Sequence, residues 1–78
     1  MSLSMFKDEH QVKANNLLNQ FDRNTMDAAL SVTMGDFSKA ATHYFNNAHI
    51  CNELQYMKDE KETIDQIIKE MKVHGITP

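Results

Sequence analysis

Glycine and proline are nearly missing from this chain of 78 residues, which holds two glycines and one proline. Gly75 and Pro78 sit in the last four residues, so Gly35 is the only helix-breaking residue between Met1 and Lys72. Punctuation this sparse excludes a turn-rich sandwich or barrel, whose short strands need frequent turn residues. Tryptophan is absent, and the single cysteine, Cys51, excludes an internal disulfide and makes a reduced, cytoplasmic setting the default expectation. No apolar run is long enough to cross a bilayer, and Lys7-Asp8-Glu9 interrupts the mildly apolar start before a secretory signal can form. Eight scattered basic residues against eleven acidic ones give a net charge of −3. That balance disfavours nonspecific nucleic-acid binding, which needs clustered cations.

What remains is a helix-forming chain with 41% hydrophobic and 24% charged residues, in the ordinary range for one small globular domain spanning 1–78. Residues 1–4 and 75–78 are expected to fray. A first helical stretch reads from about Ser4 to Thr33, with Phe6, Ala14, Leu17, Leu18, Phe21, Ala28 and Val32 on one stripe and His10 and Thr25 filling its gaps. Asn24 is either inside that helix or the cap of a fresh one. Gly35 then fits a left-handed helix terminus, and Asp36 fits the N-cap of the next helix, accepting from the amide of Ser38 or Lys39. A connection this short makes the two helices antiparallel.

The second stretch, Phe37 to about His74, carries an early stripe of Phe37, Ala41, Tyr44, Ala48 and Cys51 and a later one of Leu54, Met57, Ile64, Ile68 and Met71. These do not join in phase: ten alternating steps of three and four need one residue more than the chain supplies. The expected fold is therefore all-α, an antiparallel hairpin whose long second helix is either continuous or broken near 55–60 into a three-helix bundle. Asp59 and Glu62 have the spacing of a capping box, where such a break would fall.

Gly35-Asp36-Phe37-Ser38-Lys39-Ala40, followed by Tyr44, resembles the start of the second helix of a tetratricopeptide repeat. It also resembles the Gly-Asp-Phe turn of lactose/cellobiose-type phosphotransferase IIA subunits. The repeat's next small residue falls on Asn47 while Ala48 comes one late, no second repeat follows, and no later stretch matches the phosphorylated histidine of the IIA subunits. Both likenesses reflect a tight antiparallel turn with a small residue where helices touch.

The chemistry-bearing residues do not assemble into a catalytic or metal pattern. His43 and His49 are six apart, on opposite sides of a helix, and no His-Glu-x-x-His spacing occurs. Cys51 reads as a small buried hydrophobe. The carboxylates Asp59, Glu60, Glu62 and Asp65 alternate with lysines as on a solvated face. No enzyme activity and no cofactor are expected.

Two helices alone cannot cover the faces implied by Leu17-Leu18, Tyr44-Phe45, Ile50-Cys51 and Ile67-Ile68. The expectation is a small helical protein-protein interaction module, an adaptor, co-chaperone or regulator. It would dock Tyr44, Phe45, Ile50, Leu54, Ile64, Ile67 and Ile68 on a partner's helix or on a second copy as a homodimer. The alternative is a small regulator acting on nucleic acid as an oligomer, through Lys7, Lys13 and Arg23 gathered across a dimer.

Overall fold

The computed structural model describes residues 2–73 and 75. Helix α1 runs over Gln11–Thr33 and helix α2 over Phe37–Val73, packed as an antiparallel hairpin 61 Å long and 17 × 15 Å in section. No strand occurs among the described residues.

The reversal at Gly35 follows from hydrogen-bond accounting at a helix end. Gly35 has φ +78°, its amide donates to the carbonyl of Val32 (3.0 Å), and the Asp36 amide donates to that of Ser31 (2.8 Å). This is a Schellman terminus, in which a left-handed residue lets orphan carbonyls find donors. Asp36 caps α2 at once, its Oδ1 accepting from the Lys39 amide at 3.0 Å.

Packing of the two helices follows a seven-residue repeat. In α1 the buried and half-buried row is Ala14, Leu17, Phe21, Asn24, Ala28 and Ser31; in α2 it runs Ala40, His43, Asn47, Ile50, Leu54, Met57, Lys61 and Ile64, with Leu18, Glu53, Lys58 and Glu60 half-buried beside it. Steps of three and four alternate without a break and continue through Ile68 and Met71. The expected phase slip is therefore absent, because the early stripe does not lie in the seam. Phe37 and Tyr44 are 67% and 52% exposed, and Ala41, Ala48 and Cys51 are exposed as well. Small and polar side chains replace them between the helices. Val32 and Thr25 likewise face outward, next to the buried Ser31 and Asn24.

With the register intact, α2 has no reason to break. Asp59 is not a cap; it accepts from Gln55 Nε2 (2.8 Å) one turn earlier, and its carbonyl accepts from Thr63 Oγ1 (2.9 Å). The N-terminal stretch differs more. Instead of helix from Ser4, two single 3-10 turns, Leu3–Met5 and Asp8–His10, are joined by extended backbone at Phe6 and Lys7. That extended link sends Phe6 inward (2% exposed) against Ala14 and Met57, with Leu3, Met5, Leu17 and Leu54 around them. A continuous helix would instead run on beside the Lys61–Ile67 stretch of α2 and carry Phe6 away from Met57.

Candidate interaction faces

The centre of the hairpin is polar. Asn24 Nδ2 donates to Asn47 Oδ1 (3.1 Å), and Asn47 Nδ2 donates to Thr25 Oγ1 (3.0 Å) and to the Phe21 carbonyl (3.3 Å). Gln20 Nε2 extends the chain to Asn24 Oδ1 (2.9 Å). Buried amides that satisfy one another fix which turn of α1 faces which turn of α2, since any slide leaves them unpaired.

The seam has two unlike flanks. One carries Lys13, Gln20 and Asp27 from α1 and Lys39, Asn46, Glu53 and Glu60 from α2, tied by Lys13 Nζ to Glu53 (2.6 Å) and Lys7 Nζ to Glu60 (2.6 Å). The hydrogen bond from Lys7 holds the Glu60 carboxyl below its ordinary range, and the same bond raises Lys7. The opposite flank carries Leu18, Thr25 and Val32 from α1 and Phe37, Tyr44 and Cys51 from α2, with no charge between Phe37 and Cys51.

The seven residues expected to bind a partner fall into three places. Ile50 (8% exposed) and Leu54 are consumed by the hairpin itself. Tyr44 and Phe45 (65% exposed) lie on the outer side of the first half of α2, where Phe45 meets the His49 ring edge-on at 4.7 Å. Ile64 is half-buried, and Ile67 and Ile68 are 46% and 37% exposed near the far end of α2. There α1 has not yet begun: Ala14 against Met57 and Asn24 against Asn47 put Gln11, the start of α1, level with about residue 60. Only the N-terminal turns continue alongside, leaving an open groove between Lys7-Asp8-Glu9 and Ile64-Ile68.

Phe37, Ala41, Ala48 and Cys51 belong to the outer face with Tyr44, although their apolar spacing assigned them to the seam. Charge was the signal available: the same two helical rows continue as Gln55, Lys58, Glu62 and Asp65, which no seam would carry.

The remaining chemistry is dispersed. Both ring nitrogens of His43, and Nδ1 of His10, are buried with no hydrogen-bond partner among the described residues. His74 lies outside the described residues. No group of three or more His, Cys, Asp or Glu among the described residues could hold a metal ion. No described helix is long and apolar enough to cross a membrane. No family model, curated protein or solved structure matches the chain.

Proposed function

We propose that this protein is a small, non-enzymatic interaction module whose apolar helical faces dock on a helix of another chain, a second copy being one such chain. The observation that carries this reading is the grouping of exposed apolar side chains on α2. Phe37, Tyr44 and Phe45 cluster on one half and Ile67 and Ile68 on the other, while Tyr56 and Val73 stand apart. A helix laid beside the Ile64–Ile68 end would take the place α1 leaves vacant and continue the seven-residue repeat.

The nucleic-acid reading has less support. Lys7 is held by Glu60 and Glu9 and Lys13 by Glu53, while Arg23 donates to Gln20 (2.8 Å). Cations already neutralised by carboxylates release few counterions from a phosphate backbone.

The test is capture of partners from the native host with the wild type and with an Ile67→Glu/Ile68→Glu variant. Both positions are exposed, so the variant should keep its helicity and lose the captured protein. An unchanged capture profile, or captured nucleic acid whose binding falls steeply with salt, removes the reading.

A further inference from the structure

The uncharged outer face of α2 has an order of sizes that matches its own reverse. From Phe37 the residues facing out at steps of four and three are Phe37, Ala41, Tyr44 and Ala48: large, small, large, small. Turned end for end, the same row reads small, large, small, large. Two antiparallel copies therefore set each aromatic ring over an alanine of the other, Phe37 on Ala48 and Tyr44 on Ala41, and the reciprocal pairs follow by symmetry. An isologous two-fold contact demands this property, in which residue i meets j and j meets i. The alanines also let the helix axes approach closely.

We infer that the protein is a two-fold homodimer joined along the Phe37–Ala48 face of α2, the two copies antiparallel. This inference rests on the proposed interaction role and names the first partner as a second copy.

Charge agrees with it and sets where the contact ends. Asp36 stands before the face and Lys58-Asp59 after it, and Lys58 is bound to Glu62 at 2.8 Å. Between them lie Ser38, Phe45 and Asn52 beside the row, none ionised, so no buried charge opposes association. The opposite flank of the hairpin, with its lysine–glutamate pairs, offers no such surface.

The pairing also specifies a register. Ala41 opposite Tyr44 places Cys51 of one copy near the Gly35 turn of the other, so the two Cys51 thiols are about 25 Å apart at 1.5 Å per residue. That is far beyond disulfide reach.

Sedimentation of the wild type over a wide concentration range should give twice the chain mass at the upper end. Ala48→Glu adds a good helix former at an exposed position, so far-UV circular dichroism should stay unchanged. It places two charges in the contact and should weaken self-association by at least about 100-fold. Asn16→Glu, on the outer face of α1, should leave the dimer intact. A wild type that stays at single mass overturns the inference, as does an Ala48→Glu variant that dimerises like the wild type. A dimer that mild oxidant links through Cys51 overturns the register. Failure here leaves the interaction role standing if Ile67→Glu/Ile68→Glu loses its captured partner, because that site lies about 30 Å along the helix from Ala48.

Discussion

The two halves of α2 are inside-out versions of each other. Residues 37–51 turn alanine, histidine, asparagine and Ile50 toward α1 and phenylalanine and tyrosine toward solvent; residues 54–66 turn Leu54, Met57 and Ile64 inward, with Lys61 among them, and charged and polar side chains outward, Tyr56 excepted. Both halves obey one seven-residue repeat, so helix geometry does not distinguish them. What differs is what each seam position is used for. The first half spends its buried positions on close approach and on a hydrogen-bonded amide pair, which specify alignment. The second spends them on apolar burial, which supplies stability. A module that keeps its stability at one end has its aromatic residues free at the other.

If that division holds, the largest loss should come from the stabilising end. Phe6→Ala removes the most buried large side chain from the cluster with Ala14 and Met57, and should cost about 3–5 kcal/mol in denaturant unfolding. A cost below about 1 kcal/mol would mean that the N-terminal turns do not cover Met57. Next comes the specifying end. Asn47→Ala strands the Asn24 amide and should cost about 1–3 kcal/mol, whereas Asn24→Leu/Asn47→Leu should be neutral or stabilising, because both unpaired groups vanish together. A double variant as unstable as the single one would show that the amides contribute burial, and the contrast between the halves would fail.

Smaller still is the turn. Gly35→Ala meets no neighbouring atom within 4 Å, so the backbone alone penalises it, by about 1–2 kcal/mol for a side chain at φ +78°. An unchanged melting temperature would contradict the left-handed conformation.

The smallest effect concerns pH. Glu60 is depressed below 4.5 by its hydrogen bond from Lys7, so its contribution is present above 4.5 and lost as pH falls through the lower folded value. Lys7 is raised above 10.5, so its contribution is present below 10.5 and lost as pH rises through the higher folded value. Both groups are solvent-accessible, so the change should be local: Phe6 ring resonances should shift at both extremes while those of Asn24 and Asn47 stay put. Glu60→Gln should abolish the acid limb.

The hairpin, the Gly35 terminus, the Asp36 cap and the inward row of Ala14, Leu17, Phe21 and Ala28 were legible because each is a local pattern: a lone glycine, a capping aspartate, a helical period. The seam of α2 was not. Apolar residues outline two rows in residues 37–51, and hydrophobicity favours the one with Phe37 and Tyr44. The row that faces α1 is chosen by helix spacing and by Asn24 meeting Asn47 from 23 residues away, which no local window contains. For the same reason Tyr44 and Phe45 emerge as surface residues while Ile50 and Leu54 do not. Phe6 has the helical spacing of a core residue, yet it arrives there through extended backbone.

The tightly bonded reversal around Gly35 also implies an order of events. Helix turns next to it meet after closing loops of only about ten residues, whereas Lys7 must find Glu60 across 53, and loop-closure entropy rises with length. Assembly should therefore zip outward from the bend, with the Phe6 region joining last. Amide hydrogen exchange should then be slowest around Asn24 and Asn47 and fastest toward Val73, and the reverse gradient would refute this. The stretch of α2 beyond the reach of α1 would be the first to fray in every thermal fluctuation, a tip that loosens while the paired helices stay closed.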